Sequence, residues 1–429
     1  MADKKAWDVL VIGGGLAGLA AAATAARAGC GVAVLDAHLP GGRARTDERD
    51  GFCFNQGPRA LFNGGPAAEV LRRLGVRPTG APPATASGTV WRDGSLYRLP
   101  AGPLSLARTD LLGARSKAQV ARVLGGLGRL RAEGLAGMTA ATWLSSYGMR
   151  DDALGFVTAL TRVATYVDDL EQLSADAATR QLQLAVGKGV TYLDGGWQTL
   201  VTQLQHVASA AGSTIVASRP VVALEGGEAG GTGWVAHTDQ GDLHAATVVI
   251  ATGGPAAARA ILPHHPGWEC GPEARAACLD LGLRRPPDPR VVFGVDAPLY
   301  LSTHCPPANL ARRGGAVVHV MRYGARSAAQ DRPELEALAG LVGIGEADIV
   351  TRRFLHSMVV THGLPQAGDG LPGRPGVDVP GLAGAFVAGD WVGPVGLLAD
   401  ASLASAEAAA HAAIAYARTG RATGGLAAA

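Results

Sequence analysis

The stretch Trp7 to Ala37, WDVLVIGGGLAGLAAAATAARAGCGVAVLDA, constrains the fold more than any other part of the 429-residue chain. Val9-Leu10-Val11-Ile12 reads as a buried parallel strand, Leu16 to Ala28 as an Ala-rich helix, and Gly31 to Leu35 as a second strand closed by Asp36. Between the first strand and the helix stand Gly13, Gly15 and Gly18, a Gly-x-Gly-x-x-Gly in which each glycine has its own task. Gly13 permits the tight turn, Gly15 lets the backbone approach a pyrophosphate, and Gly18 lets the helix pack closely on the strand. Asp36 can accept hydrogen bonds from both hydroxyls of a ribose, which favours an unphosphorylated ribose. Strand, glycines, helix, strand and acid in register mark a dinucleotide-binding βαβ unit.

NAD and FAD share this fingerprint, so other segments must separate them. In LPGGRARTDERDGFCFNQGPRAL, Leu39 to Leu61, Gly41 and Gly42 allow a second close backbone approach. Arg43 supplies a fixed cation where an extended pyrophosphate and ribityl chain need one. Near the C-terminus, GAFVAGDWVGPVGLLADASLASAEAAAHAAIAYA runs from a short strand (Phe386-Val387-Ala388) into a turn with Gly389 and Asp390. A long Ala-rich helix follows from about Gly396 and Leu397, and its start suits an anion or a dipolar ring.

With GGRA at Gly41 to Ala44, YLDGGWQTLVTQL at Tyr192 to Leu204, VVIATGGP at Val248 to Pro255 and the late AGDW, nearly the whole chain resembles one flavoprotein family. Its members include phytoene desaturases, monoamine oxidases and protoporphyrinogen oxidases. The resemblance implies FAD as cofactor and a chain that leaves the FAD domain twice to build a substrate domain. It also implies Val221 beside the adenine, Asp390 on the ribityl hydroxyls, and the helix start at Gly396 and Leu397 under the flavin pyrimidine. A helix N-terminus there stabilises the negative charge that a reduced flavin gathers. The fold class expected is α/β. A discontinuous Rossmann-like FAD-binding domain, 1–80, 192–262 and 376–429, accompanies a mixed sheet-plus-helical substrate domain, 81–191 and 263–375.

Composition fits a large globular enzyme: 48% hydrophobic against 17% charged residues allows a sizeable core. A formal net charge of +2 gives no reason to invoke nucleic acid. Five cysteines without close pairs suggest neither a metal nor a disulfide framework, and point to a reducing cytoplasm. Met1-Ala2-Asp3-Lys4-Lys5 reads as leading directly into the first strand, so no signal peptide is expected, and no apolar run reaches the ~20 residues that span a bilayer. Peripheral membrane contact stays open, because a hydrophobic substrate has to be collected from somewhere.

Along the chain, Gly80 to Gly88 reads as a linker and Thr89 to Pro100 as a hairpin turning at Asp93-Gly94. Leu104 to Val186 reads as a helical lid, with Ser116, Thr139 and Ser174 as helix caps. Asp194 to Glu225 is expected as a helix followed by a strand pair, and Glu225 to Gly233 as a glycine-rich hairpin connection. Strands are expected at Arg290–Asp296 and Gly315–Tyr323, with Ala297 to Gly315 as a loop between them, and a helix and strand after Glu346. No second Gly-x-Gly-x-x-Gly follows a strand, so reduced flavin is expected to pass electrons to oxygen or a quinone.

Two residues are candidates at the reacting centre. Arg59, in NQGPRAL, can meet flavin or a substrate carboxylate, and Trp391 can wall the cavity beside Asp390. His304, His319, His356 and His362 lie in the substrate segments as candidate bases. The four lysines, Lys4, Lys5, Lys117 and Lys188, avoid the strand where the resembling amine oxidases place theirs. Trp391 to Leu398 is apolar rather than an amine cage. The leading expectation is therefore an FAD-dependent desaturase or dehydrogenase of a small hydrophobic, polyene- or isoprenoid-like substrate. A flavin amine or amino-acid oxidase is the second, and a redox-neutral isomerase or non-catalytic fold relative the third.

Overall fold

The computed structural model describes residues 6–227 and 233–426. Two seven-stranded sheets organise the chain. The first runs in the order Thr214–Val216, Val32–Leu35, Trp7–Ile12, Leu243–Ile250, Trp234–Thr238, Val221–Gly226, and Ala385–Val387 pairs with Leu243–Ile250. Trp7–Ile12 is parallel to both neighbours, with Val9 opposite Val32 on one side and Thr247 on the other. Val9, Leu10 and Val11 are wholly buried, as a central parallel strand covered on both faces requires.

Leu243–Ile250 explains how the C-terminus rejoins the N-terminus. Its first half pairs antiparallel with Trp234–Thr238, and its last three residues pair parallel with Ala385–Val387. The helices Leu16–Arg27, Gln198–Ala210 and Leu398–Leu426 share one core with this sheet. Ala20 to Ala23 are wholly buried, because the first helix is enclosed by the sheet and its two companions and only small side chains let them approach so closely.

The second sheet runs Ile349–Thr361, Ala274–Leu283, Ala316–Tyr323, Leu299–Cys305, Val291–Gly294, Thr89–Arg92, Ser95–Arg98. One face packs on the helix Ala328–Leu341 through Leu279, Leu281, Val318 and Val320. The other packs on the helices Ala114–Gly126, Ala140–Ser145, Asp151–Thr165 and Ala175–Gly187. Two covered faces give Ala316–Tyr323 its near-continuous apolar run.

Several expectations meet a different outcome. The expected loop after Ala297 is largely a strand, Leu299–Cys305, buried at every position. Leu299 and Leu301 face the helix side while Tyr300 serves the other core, so alternation is masked by burial on both faces. The segment after Glu346 holds only a single 3-10 turn, Glu346–Asp348, before the 13-residue strand Ile349–Thr361. Ala328–Leu341 is a helix the sequence reading did not name. Thr139 caps its helix by accepting from the Thr142 N–H at 3.0 Å, whereas Ser116 lies inside a helix capped by Gly113 and donates to Asp152 at 2.6 Å. Thr214–Val216 and Val221–Gly226 are both strands, but each pairs elsewhere in the sheet. Met1 to Lys5, and 228–232 within the glycine-rich connection, lie outside the described residues.

Candidate functional site

The N-terminal glycines divide their work as their surroundings dictate. Gly13 has φ +106, and a Cβ there would overlap the Ala251 carbonyl at the end of the neighbouring strand. A Cβ on Gly18 would overlap the Gly13 carbonyl, so the helix seats on the turn only because Gly18 lacks one. Gly15 differs. It is in extended backbone, and no protein atom lies within 4 Å of where its Cβ would stand. Gly42, with φ +51, faces it, its missing Cβ 3.7 Å from the Gly15 Cα.

Between these glycines opens a cavity of about 680 Å³. Gly13, Gly15, Asp36, Gly42, Arg43, Arg59, Val221 and Gly389 line it, joined by Thr252, Gly253 and His362. Two facing backbones without side chains form a cradle for a pyrophosphate. Asp36 accepts from the Gly14 N–H at 2.5 Å and the His38 N–H at 2.7 Å, which fixes its carboxylate at the cavity edge.

Leu398, Ala399, Asp400 and Ser402, at the start of the helix Leu398–Leu426, line the same cavity. The helix thus starts beyond Gly396 and Leu397, which shape the turn before it: Gly396 has φ +67 and Leu397 is buried. Arg374, which the sequence reading missed, holds this turn by donating to the carbonyls of Asp390 at 3.0 Å and Gly396 at 2.9 Å. Burial pushes its guanidinium down to about 10 against the pull of Asp390 and Asp176. Its position 16 residues before Asp390 carries no local signal.

Asp390 is placed differently from the expected ribityl contact. Its carboxylate is 1% exposed and outside the cavity lining. It accepts from Arg43 Nη1 at 2.9 Å and the His362 N–H at 3.2 Å, and pairs with His362 Nδ1 at 3.0 Å. Burial alone would raise its pKa, but Arg43 and His362 outweigh burial and hold it well below the usual carboxylate range. Trp391 is not among the lining residues of either cavity: it is buried in the core, where its indole donates to the carbonyl of the lining residue Gly253 at 2.7 Å and packs against Trp268. An apolar neighbour of a buried acid has more to gain inside the core than at a wet wall.

Arg59 does line the cavity. Its guanidinium stands 5.7 Å from the Trp197 ring centroid, and its Nε has no hydrogen-bond partner among the described residues. Burial and the nearby Arg43 push it down to about 10, with Tyr166 and Asp390 opposing. Of the four histidines, His362 alone lines either of the two cavities described here. His319 is spent on Asp280 at 2.6 Å, His304 is stacked under Tyr192, and exposed His356 meets the Arg326 carbonyl.

Among the described residues one cluster has metal-ligand spacing, Cys278, Asp280 and His319. Arg353 donates to Asp280 through Nε at 2.9 Å, so the cation at this buried carboxylate is already a guanidinium.

A second cavity, about 660 Å³, adjoins the first. The helices Ala114–Gly126, Asp151–Thr165 and Ala175–Gly187 supply Ala121, Leu124, Leu160, Val163 and Leu182, the second sheet supplies Val291, Phe293 and Tyr300, and among the described residues Lys188 is the only charged one in the lining. Tyr192 and Tyr300 bring their hydroxyls within 3.2 Å of each other, and burial pushes both phenols up. Ala60, Phe62 and Tyr166 line both cavities.

A family model described as flavin containing amine oxidoreductase matches residues 16–278. No curated relative matches the chain. Among solved structures, an oxidoreductase from Methanosarcina mazei superposes with a TM-score of 0.72 at 18% identity, covering 93% of this chain and 99% of that one. Cyclohexylamine oxidase from Brevibacterium oxydans gives 0.69 at 19%, covering 97% and 99%. A Rab GDI from Plasmodium falciparum gives 0.63 at 11%, covering 96% and 98%. At these identities the structural likeness speaks for the fold. Among the described residues no helix is long and apolar enough to cross a membrane.

Proposed function

The chain belongs to the flavin-containing amine oxidoreductase family, an FAD-dependent oxidoreductase, and from that premise we propose that it dehydrogenates an apolar, isoprenoid- or polyene-like substrate. The observation that carries this reading is the lining of the second cavity. It holds no acid, and its only charge is a lysine, which repels an ammonium and leaves a cationic amine without a counter-ion. Its volume is that of a cavity for a drug-sized apolar molecule.

In this reading 1–80, 192–262 and 376–429 form the cofactor domain, and 81–191 with 263–375 the substrate domain. Gly13, Gly15, Gly18, Asp36, Gly42, Arg43, Val221 and Gly389 hold FAD, which when bound supplies the hydride acceptor. Asp390 acts through Arg43 and His362, and Gly396 and Leu397 set the entry angle of the last helix. The lid helices exclude water, and the lining orients the substrate by shape. Oxygen or a quinone takes the electrons. Val186, an exposed lining residue, and exposed Leu104, beside lining residue Pro103, suit peripheral contact with the lipid from which such a substrate is drawn.

Arg59, a buried guanidinium at the cofactor cavity, favours a second reading in which an amino acid presents its carboxylate there. Anaerobic incubation of the holo-protein with a linear polyene, with cyclohexylamine and with L-leucine separates the two. The polyene is expected to bleach the visible flavin absorbance. Bleaching by L-leucine or the amine, with none by the polyene, overturns the apolar reading.

A further inference from the structure

The cofactor cavity and the apolar cavity are separate volumes that meet at three residues, and these are unequal. Ala60 offers a methyl group. Phe62 is 6% exposed and fixed in the short strand Leu61–Phe62, paired with Val190–Leu193. Tyr166 alone presents a large ring that is only partly buried at the meeting point.

Its backbone is unusual too. Tyr166 ends the helix Asp151–Thr165 in the left-handed region, φ 60 and ψ 23, with its N–H bonded to the Arg162 carbonyl at 2.7 Å. Glycine is the residue that fits this helix-ending position without a steric penalty. A tyrosine there is held against its own preference, and such outliers gather where a side chain's placement matters. The ring packs edge-on to Tyr323, centroids 6.2 Å apart. On the cofactor side stands Arg59, and burial pushes the phenol well above its ordinary range, so the ring meets a passing molecule uncharged.

We propose that Tyr166 is a specificity-determining gate: its ring sets the width of molecule that can pass from the apolar cavity to the flavin. This rests on the reading that substrate enters through the apolar cavity. Narrow, thread-like chains slip past the ring edge, whereas broad fused-ring hydrocarbons are stopped beside it. Because the gate is a packed ring on a helix end rather than a mobile segment, replacing the ring alone should change the width limit.

Pyrene is the probe for the test, added to the FAD-loaded wild type and to the Tyr166→Phe and Tyr166→Gly variants. Its own emission reports entry into an apolar site, and the flavin absorption reports contact with the cofactor. Pyrene is expected to bind all three proteins within about threefold in affinity, to shift the flavin spectrum in Tyr166→Gly alone, and to leave Tyr166→Phe like the wild type. Glycine suits the left-handed backbone but forfeits the ring's packing on Tyr323, so its variant is expected to melt lower than the wild type while staying folded and keeping its FAD. Equal flavin responses in all three proteins overturn the gate while leaving the cavity reading intact. A wild type that does not take up pyrene at all overturns the cavity reading, and the gate with it.

Discussion

Arg43 and Asp390 stand 347 residues apart in the chain and 2.9 Å apart in the fold. The pair ties the glycine turn after the first βαβ unit to the turn that precedes the last helix, so two segments that line the cofactor cavity share one electrostatic clasp.

Asp390→Ala is expected to weaken the fold and the cofactor site together. The loss of charge-assisted bonds costs about 1.5–3 kcal/mol. Arg43, 34% exposed, recovers some hydration, which keeps the cost below that of breaking a fully buried pair. FAD affinity should fall by about tenfold or more as Arg43 loses its anchor. Because the folded carboxyl is held below its unfolded pKa, its contribution is complete above about pH 4 and is lost as pH falls towards the depressed folded value. Thermal melts of the apo-protein beside FAD titrations check both effects, and an unchanged FAD affinity would show that the clasp is purely structural.

Gly15 and Gly18 should respond oppositely to the same substitution. Gly15→Val puts its Cβ where no protein atom lies within 4 Å, so the apo-protein is expected to melt near the wild type while flavin occupancy collapses. Gly18→Val drives a side chain into the Gly13 carbonyl and should prevent folding altogether. Soluble yield, melting temperature and the flavin-to-protein absorbance ratio separate the two.

Asp400 does for a neighbouring helix what that helix cannot do for itself. Pro66–Arg73 begins at Gly65, which has no side chain, and Asp400 Oδ1 accepts the Ala67 N–H at 2.8 Å in its place. Burial raises the Asp400 pKa to about 6, with the Ala67 bond opposing, and its other oxygen has no partner among the described residues. A folded pKa above the unfolded one stabilises below about pH 4 and loses that stability as pH rises through 6. Asp400→Asn keeps an acceptor and never ionises. It should be more stable than the wild-type apo-protein at pH 8 by about 2–3 kcal/mol, and close to it at pH 4. Urea unfolding at the two pH values is the measurement, and equal stability at pH 8 would contradict the buried charge.

NADH and NADPH should bleach the bound flavin slowly or not at all without oxygen, because only Gly13 to Gly18 sets a Gly-x-Gly-x-x-Gly directly between a strand and the helix that follows it, whereas Gly368 to Gly373 lies in a loop and a 3-10 turn. Anaerobic stopped-flow absorbance checks this, and rapid stoichiometric bleaching would contradict it.

Local signals carried well where one segment contains its own reason. The hairpin at Thr89 needed only Asp93-Gly94, which take φ 48 and 74, the left-handed pair that a two-residue turn demands. Thr139 needed only the N–H three residues on. The reading failed at Leu299–Cys305, where prolines after the strand and burial on both faces hid the period of two. It also failed at Trp391, because adjacency to a site residue does not say which way a neighbour points.

The sequence by itself determined the βαβ unit and the turn and packing tasks of Gly13 and Gly18, because a turn, a close approach and an acid after a strand are decided within some thirty residues of chain. Only the tertiary structure decided which partner each buried charge has. Asp390 finds Arg43, Asp400 finds Ala67 and Asp280 finds Arg353, and none of these pairs shares a local period or spacing. A buried charge must be satisfied by whichever group the fold brings to it, and that choice follows from how two sheets and their helices close around the cavities.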